Sequence, residues 1–509
     1  MNHEFCEADT PAGRIRGRVN NGTHAFLAVP YGAPTGGQGR FRPPVPPAPW
    51  LGVRDALEFG DQCPQSHFPK PQAWHSWERQ TGESEDCLVL NVWTPGLRDG
   101  RKRPVMVWFH GGGFALLSGS SPAYDGERLS RRGDVVVITL NHRLNVFGYL
   151  YLGQLGGAAY ADSGNVGQLD LLAALRWVRD SINEFGGDPG NVTIFGESGG
   201  GGKVAALMAM PAARGLFHKA VIQSGPYLRA MLPDDATKFA VSFLGKLGLQ
   251  SHQVCELEYI PAPRLIEALE AVTQGASIRA FTPVLDGRTL SSHPFAPAAP
   301  AISAGIPLIV GYNKDEMTLL FQPPDTFTLG WDTLPRRLEN WLNGPENAAR
   351  VIELYRCLYP DRSPSDLYFE ITADRGIGGN SITLAERKVR QGAAAVFMYR
   401  LEWETPVFGG RYRSGHALDI PMVFDTVAAS ESFIGAGAAD AQCIAEQMSE
   451  AWLAFARTGN PSTGRLRWPA YSLTTRATMI FNVHSTVVDD PRRQARELLA
   501  TLPEIKNLG

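Results

Sequence analysis

A short apolar run that breaks into glycines stands near the middle of the chain and reads Val192-Thr193-Ile194-Phe195-Gly196-Glu197-Ser198-Gly199-Gly200. Its β-branched and aromatic first half predicts a buried strand over residues 192–195, and residues 203–210 predict a helix. The Gly-x-Ser-x-Gly pattern between them places Ser198 on a sharp strand-to-helix turn. Glycines two positions before and after relieve the crowding of such a turn, so the serine hydroxyl is predicted to project above the edge of the sheet.

The same glycines also fit nucleotide-binding patterns, but the residues around them argue against that interpretation. Residues 200–205 fit Gly-x-Gly-x-x-Ala, and Gly202-Lys203 is a pair found in phosphate-binding loops. Such a loop needs glycine at position 197 and serine or threonine at 204, and these places hold Glu197 and Val204. A dinucleotide site needs an acidic residue near position 220 for the ribose, and none is there.

Strands and helices alternate along the chain. Other apolar runs rich in β-branched residues predict buried strands at 105–109, 135–140, 220–223, 308–310 and 396–401. One stretch has an apolar residue every three or four positions, which predicts a helix whose apolar face is formed by Leu171, Leu175, Val178, Ile182 and Phe185. This alternation predicts an α/β fold with a mostly parallel twisted sheet and helices on both faces. No repeat or linker divides residues 1–509, so a single domain is expected.

Composition excludes several classes of function. Lys+Arg number 48 and Asp+Glu 51, for a formal net charge of −3, without the basic stripe that nucleic acid requires. No apolar run reaches about 18 residues and the N-terminus lacks an apolar signal region, so no membrane span is expected. A cytoplasmic protein is expected, and a secreted form with its signal removed would have the same composition. Six sparse cysteines without Cys-x-x-Cys spacing argue against a zinc site.

A second glycine cluster follows the predicted strand at 105–109, in residues 110–114, which read His-Gly-Gly-Gly-Phe and are called the glycine loop below. Consecutive glycine N–H groups at a strand end are free of side chains. They are therefore suited to bind the negative oxygen that develops when an acyl group is transferred.

A serine needs a histidine to take its proton, and the histidine needs an acid to orient it. In α/β enzymes of this kind the chain order is serine, acid, histidine. Asp315 and Glu316 follow the predicted strand at 308–310, and His416 follows the one at 396–401. The residues alone leave Asp315 and Glu316 as alternatives.

Several blocks in order resemble the type-B carboxylesterase and cholinesterase family. Residues 196–201, Gly-Glu-Ser-Gly-Gly-Gly, resemble its nucleophile signature, residues 85–93 its second signature, and the glycine loop its oxyanion loop. Further blocks match at 40–44, 185–189, 311–316, 454–461 and 468–471. The blocks extend from about residue 12 to residue 482, nearly the whole chain.

The resemblance implies the α/β-hydrolase fold, with inserted loops and helices that form an active-site gorge. It implies a catalytic triad of Ser198, Glu316 and His416, in which Glu316 holds the acid's place in its block. It also implies an oxyanion hole formed by the backbone N–H groups of Gly112, Gly113 and Gly199.

The function implied is hydrolysis of small-molecule carboxylic esters by an acyl-enzyme route, without cofactor or metal, in a monomer or small homo-oligomer. Two alternatives are an amidase or carbamate hydrolase using the same triad, and a non-catalytic binding protein, because cholinesterase-like adhesion molecules share the fold.

One departure from the family concerns the serine turn, and one further match concerns a nearby loop. The family usually has alanine after the nucleophile, and here it is Gly199, so we expect the chemistry to survive with a looser turn. Cys63 and Cys87 match the family's first disulfide, which would close a long loop beside the gorge.

Other departures bear on the substrate. Trp77, ten residues before Cys87, has the spacing of the choline-binding tryptophan of cholinesterases. The aromatics that follow the catalytic glutamate there are replaced here by Leu319 and Leu320. We therefore expect Trp77 to serve packing, and no choline preference.

Overall fold

The β-strands of the chain form one extended sheet. The computed structural model describes residues 4–67, 71–320 and 323–504, and within these ranges thirteen strands belong to that sheet. In chain order they are β1 (Glu4–Thr10), β2 (Gly13–Asn20), β3 (Thr23–Pro30), β4 (Val53–Asp55), β5 (Val89–Thr94), β6 (Arg103–Phe109), β7 (Val136–Leu140), β8 (Gly187–Glu197), β9 (Lys219–Gln223), β10 (Leu308–Asn313), β11 (Val396–Leu401), β12 (Ala477–Phe481) and β13 (Thr486–Asp489).

The centre of the sheet is parallel. The strands lie in the order β1-β2-β3-β5-β7-β6-β8-β9-β10-β11-β12-β13, with β4 beside β2. From β7 to β12 neighbours run parallel, whereas β1, β2, β3, β5 and β7 pair antiparallel in succession, as do β12 and β13. Parallel strands put their carboxyl ends at one edge of the sheet, so the segments after β6, β8, β10 and β11 meet there.

Sixteen α-helical segments lie within the described ranges. They are α1 (Glu127–Gly133), α2 (Asn145–Tyr149), α3 (Gly153–Gly156), α4 (Val166–Ser181), α5 (Gly199–Ala209), α6 (Pro233–Lys246), α7 (Ala262–Thr273), α8 (Leu334–Leu342), α9 (Pro345–Leu358), α10 (Pro364–Ala373), α11 (Gly379–Val389), α12 (Val407–Gly410), α13 (Asp419–Phe424), α14 (Glu431–Ile434), α15 (Ala439–Thr458) and α16 (Arg493–Ala500). None of the helices described is both long and apolar enough to cross a membrane.

Both faces of the sheet are buried under helices. Val107 and Trp108 are neighbours in β6 and point to opposite faces, because side chains alternate along a strand. Val107 packs in an apolar cluster with Leu171 and Leu175 of α4. Trp108 packs in a second cluster with Trp452 of α15. The predicted α/β architecture, with a mostly parallel sheet covered on both sides, is confirmed.

Helix α5 begins at Gly199, four residues earlier than predicted. Its first turn consists of glycines, which are poor helix formers. A larger residue would not fit here, because a Cβ built on Gly200 would lie 1.9 Å from the carbonyl oxygen of Phe109 in β6. Close packing of the first turn of α5 against the end of β6 therefore overrides local helix propensity.

Candidate active site

Ser198 occupies the turn between β8 and α5 in a strained conformation. Its φ of 56° and ψ of −122° lie in a region that costs a non-glycine residue about 1–3 kcal/mol. Its N–H donates to the carbonyl of Gln223 at 2.8 Å, and its carbonyl accepts from the N–H of Gly202 at 3.0 Å. A Cβ on Gly225 would lie 2.1 Å from that carbonyl oxygen, so a glycine is needed beside the turn. The structure has the sharp turn that the Gly-x-Ser-x-Gly pattern predicts.

Glu316 and His416 are in direct contact. Nδ1 of His416 and Oε2 of Glu316 lie 2.5 Å apart, and both side chains are buried. Oε1 of Glu316 accepts the backbone N–H of Asn313 at 2.8 Å. The side-chain amide of Asn313 donates to the carbonyl of Gly415 at 2.9 Å. The last residue of β10 therefore holds both the acid and the loop that carries the histidine.

Asp315, the alternative acid, does not face His416 but contacts Ser414 and Lys314. Its Oδ2 accepts the backbone N–H of Ser414 at 3.3 Å and lies 3.5 Å from Nζ of Lys314. Burial raises the pKa of its carboxyl group. Asp315 thus supports the loop that precedes His416, and Glu316 is the acid that reaches the imidazole.

The opposite nitrogen of His416 faces the neighbourhood of the serine. Nε2 lies 3.2 Å from Oε1 of Glu197, the residue directly before Ser198. Ser198 and His416 line the same cavity. Within the described residues no hydrogen bond joins the Ser198 hydroxyl to His416. Contacts of this kind are often long without substrate and tighten when it binds.

Titratable groups crowd around the imidazole and shift its pKa. Burial raises the pKa of Glu197 well above its usual range; the charge of His416 opposes this rise, and those of Asp419 and Glu316 add to it. Burial alone would lower the pKa of His416, but the charges of Glu197 and Glu316 outweigh it and raise the pKa to about 9. A proton must therefore leave this cluster before the imidazole can act as a base.

The glycine loop lies against the serine turn. Gly112 and Gly113 have φ values of 78° and 62°, a region that glycine adopts freely. A Cβ on Gly111 would lie 3.5 Å from Cβ of Ser198, and Gly112 lines the same cavity as the serine. Gly113 contacts Gly199 at the start of α5. The structure therefore brings Gly112, Gly113 and Gly199 together beside Ser198.

Gly199, where the family usually has alanine, lies directly against the glycine loop. A Cβ built on Gly199 would lie 2.0 Å from the carbonyl oxygen of Gly113 and 2.5 Å from its Cα. The glycine loop occupies the space that an alanine side chain would need. The two backbones therefore touch at this point of the turn.

A cavity of about 300 Å³ opens above Ser198, a volume typical of small-molecule sites. Many of its wall residues are apolar or aromatic. With Ser198 and His416 it is lined by Gln62, Gln65, Ser66, His67, Trp74, Trp77, Glu78, Arg79, Gly111, Gly112, Leu117, Ser118, Ser120, Ser121, Tyr124, Glu197, Ile278, Leu320, Ala417 and Ile420. In the part of the chain that the structure describes, no group of three His, Cys, Asp or Glu side chains is arranged to hold a metal ion.

Trp77 packs as expected, and it also lines the cavity, which the packing interpretation missed. Its ring stacks on Trp74 with centroids 6.3 Å apart and meets Phe433 edge-on at 5.5 Å. Its Nε1 donates to the hydroxyl of Ser430 at 2.8 Å. Leu320 lines the cavity as well. Hydrogen bonding and stacking thus fix one aromatic face of Trp77 in the wall.

Cys63 and Cys87 are buried free cysteines that lie beside each other. The pKa of the Cys63 thiol is raised well above its usual range by burial and by hydrogen bonding with Cys87. The backbone N–H of Leu144 donates to Sγ of Cys63 at 3.3 Å. Their proximity is compatible with a bond between them, and the disulfide stays a prediction.

Some residues of the site were not singled out from the sequence. Glu197 lies inside the serine motif, but nothing in the motif shows that its carboxylate reaches His416. Asp419 follows His416 by three positions and is fully buried, where it accepts from Gln223 Nε2 at 2.9 Å and from the Tyr399 hydroxyl at 2.6 Å. In the sequence, Asp419 could have been noticed only because it is an acidic residue three positions after His416.

The sheet topology and the serine turn define the class, an α/β hydrolase. The model of the Carboxylesterase family matches residues 6–498, and the chain belongs to that family. It is 38% identical over 504 residues to para-nitrobenzyl esterase of Bacillus subtilis (strain 168). The alignment covers 98% of this chain and 99% of that relative. The chain is 32% identical over 505 residues to phenmedipham hydrolase of Pseudarthrobacter oxydans, covering 96% and 97%.

Solved structures agree with the sequence relatives. A carboxylesterase of Geobacillus stearothermophilus, solved at pH 6.2, superposes with a TM-score of 0.85 at 38% identity and covers 97% of this chain and 99% of its own. The chain is therefore a carboxylesterase, a serine hydrolase that acts on carboxylic ester bonds.

Proposed function

We propose that the chain hydrolyses small-molecule carboxylic esters through an acyl-enzyme intermediate on Ser198. His416 acts as base and then acid, and Glu316 orients it. The 2.5 Å contact between His416 and Glu316, together with the cavity that His416 shares with Ser198, carries this proposal. We further propose that residues 1–509 act as one catalytic domain with inserted loops, as a monomer or small homo-oligomer, without a nucleic-acid or membrane partner.

In the first step Oγ of Ser198 attacks the ester carbonyl carbon while Nε2 of His416 takes the hydroxyl proton. Glu316 stabilises the imidazolium that forms, through its contact with Nδ1. The negative oxygen of the tetrahedral intermediate accepts hydrogen bonds from the backbone N–H groups of the glycine loop and of Gly199. Each such donor contributes about 3–4 kcal/mol to the transition state.

The intermediate then collapses. The bond between the carbonyl carbon and the alcohol oxygen breaks, and His416 returns its proton to that oxygen, so the alcohol leaves and the acyl group remains on Ser198. Water attacks the acyl-enzyme in the second step, giving its proton to His416. The carbon–Oγ bond breaks, Ser198 regains the proton, and the carboxylic acid is released.

Aromatic esters are the substrate class to test first. Trp74, Trp77 and Tyr124 line the cavity, and flat apolar faces of this kind bind aromatic groups. The relation to para-nitrobenzyl esterase supports the same choice. Turnover of a p-nitrobenzyl ester should therefore exceed that of an aliphatic ester of similar volume, measured as kcat/KM.

Ser198→Ala tests the nucleophile. The variant should fold but lose at least about 10⁴-fold in kcat on a p-nitrophenyl ester, because the acyl-enzyme cannot form. It should also lose covalent labelling by a fluorophosphonate probe. Labelling of the unaltered protein would exclude the alternative of a non-catalytic binding protein.

Ser181→Ala is a matched control. Ser181, at the end of α4, is also a buried serine, and its hydroxyl has no hydrogen-bond partner among the described residues. Its activity and labelling should equal those of the unaltered protein. Full activity in Ser198→Ala would refute the assignment.

An amidase or carbamate hydrolase would use the same side chains. Esters, anilides and carbamates that share one acyl group and differ only in the leaving group separate these activities. The proposal expects kcat/KM to be highest on the ester; a higher value on the anilide or the carbamate would replace it with the alternative.

A further inference from the structure

Lys203 is a fully buried lysine in α5. It belongs to the Gly202-Lys203 pair, which fits a phosphate-binding loop only in part. Its Nζ donates to the carbonyl oxygen of His110, the first residue of the glycine loop, at 2.8 Å. The same amine lies 5.7 Å from the ring centroid of Phe114, at the other end of the loop. A lysine is rarely fully buried without a specific role, and this one contacts both ends of the glycine loop.

The His110 carbonyl lies at a point where the backbone changes direction. β6 ends one residue earlier, at Phe109, and Gly112 and Gly113, two and three residues later, have positive φ. The orientation of the peptide group after His110 therefore sets the direction of the N–H groups that follow it. A buried carbonyl without a hydrogen-bond donor is unfavourable, so the amine favours one orientation of this peptide.

The surroundings of the amine are nearly uncharged. Burial lowers the pKa of Lys203 to about 7. The titratable groups that face it are His110 and His142, whose rings stack 5.0 Å apart and whose pKa values are held well below the usual range, chiefly by burial. Beyond Phe114 lie the rings of Tyr149 and Tyr227. The ammonium and the neutral amine both carry N–H donors, so the contact with the carbonyl survives deprotonation.

We propose that Lys203 is a positioning residue, which aligns the glycine loop for oxyanion binding through its hydrogen bond to the carbonyl of His110. The inference rests on the proposed function, since it concerns the same reaction. It assigns to the lysine no contact with substrate. Its effect should appear in the transition state, where the loop N–H groups bind a full negative charge, and hardly in the binding of the uncharged ester.

Lys388 provides a matched control. It is also a buried lysine, in α11, and its Nζ donates to the carbonyl oxygens of Ser303 and Ala304, both at 2.7 Å. The side chains that line the cavity do not include it. Lys203→Met and Lys388→Met therefore each remove a buried amine from main-chain carbonyls, and only the first lies beside the glycine loop.

The experiment compares these two variants with the unaltered protein, with rates normalised to the sites labelled by a fluorophosphonate. Lys203→Met should lower kcat on a p-nitrophenyl ester by about tenfold to a hundredfold, with KM changed by less than about threefold. Affinity for a trifluoromethyl ketone, which forms a tetrahedral adduct on serine, should fall in parallel with kcat. Lys388→Met should keep kcat, KM and ketone affinity. If Lys203→Met does not fold, Lys203→Leu replaces it.

Three results would overturn the inference. One is a kcat within about threefold of the unaltered protein in folded Lys203→Met or Lys203→Leu. Another is an equal loss of kcat per labelled site in Lys388→Met, which would mark a general effect of losing a buried amine. The last is a rise in KM without loss of kcat. Absence of activity and labelling in the unaltered protein would instead refute the proposed function, and the inference with it.

Discussion

His416 lies between two buried carboxylates, with Glu316 at Nδ1 and Glu197 at Nε2. In the proposed mechanism Glu316 stabilises the imidazolium that forms during the reaction. The charges of Glu197 and Glu316 both raise the pKa of His416, so both also favour the imidazolium before the reaction starts, when a neutral imidazole is needed.

This arrangement predicts an alkaline pH dependence. Because the imidazole must be neutral to take the serine proton and the pKa of His416 is raised to about 9, kcat/KM should rise with pH and level off only near that value. Glu197→Gln removes a negative charge that raises this pKa, so the rising limb should move to lower pH by about one unit. Background-corrected kcat/KM between about pH 5 and 10 measures the shift.

The control is Glu184→Gln, which removes a surface carboxylate paired with Arg98 at 2.9 Å. Its pH profile should match that of the unaltered protein. A Glu197→Gln profile with the original midpoint would show that Glu197 does not control the protonation of His416.

At the scale of elements, α5 and the glycine loop are in close backbone contact at the site. Gly199 and Gly113 touch through their backbones, and the first turn of α5 rests on the end of β6 in the same way. At Gly199 and Gly113 no side chain lies between the two backbones to absorb a change. A small displacement of either backbone is therefore passed directly to the N–H groups that are proposed to bind the oxyanion.

Gly199→Ala tests this contact. The new methyl group would lie 2.0 Å from the Gly113 carbonyl oxygen, so the loop must move away from the serine turn. We expect kcat to fall by about tenfold to a hundredfold, as for a misplaced reactive geometry, although the N–H of residue 199 is retained. Steady-state kinetics on a p-nitrophenyl ester measures the loss.

Gly245→Ala in α6 is the control for this substitution. A Cβ there meets nothing within 4 Å, so activity should be unchanged, and the helix should gain up to about 1 kcal/mol from better propensity. Unchanged kcat in Gly199→Ala would show that the loop has room to move without consequence.

Several strands that are buried on both faces could be predicted from the sequence, although β5 and β12 are also buried along their whole length and were not predicted. β2, which has a solvent face, could not be predicted. β11 has the predicted bounds because all six of its residues are buried and apolar character runs through most of it. β2 alternates buried positions with Arg14, Arg16 and Arg18, and its short polar pattern was not recognised as a strand. The start of α5 was missed because contact with β6, and not local propensity, selects its glycines.

The residues of the candidate site also differ in whether a local sequence pattern describes them. Ser198 could be predicted because a local pattern describes its whole turn. Asp315 and Glu316 could not be separated from the residues alone, since neighbouring acids differ only in where the turn directs them. The contacts of Glu197 and Lys203 depend on segments distant in the chain, so no local pattern contains them.

At the scale of the whole molecule, the segment between Cys63 and Cys87 contributes several of the side chains that line the cavity, among them Trp74 and Trp77. A disulfide between the two cysteines would restrict this segment in the unfolded chain and stabilise the fold by about 3 kcal/mol. Refolding under oxidising conditions should therefore lower the mass by two hydrogen atoms and raise the thermal midpoint by a few degrees. A reductant should reverse both changes.

Cys63→Ala should abolish the oxidation-dependent shift, and Cys443→Ala, at an exposed cysteine, should leave it intact. A shift that persists without Cys63, or a mass that never changes in the unaltered protein, would rule out this pairing.

The reactive side chains follow strands of the central sheet, whereas much of the cavity wall comes from segments 62–67, 71–79 and 117–124. Much of the cavity wall and the reactive side chains therefore come from separate stretches of the polypeptide. Evolution can exchange the surface segments while the reactive centre is inherited intact. On this view, one scaffold can serve both a relative named for a p-nitrobenzyl ester and one named for phenmedipham.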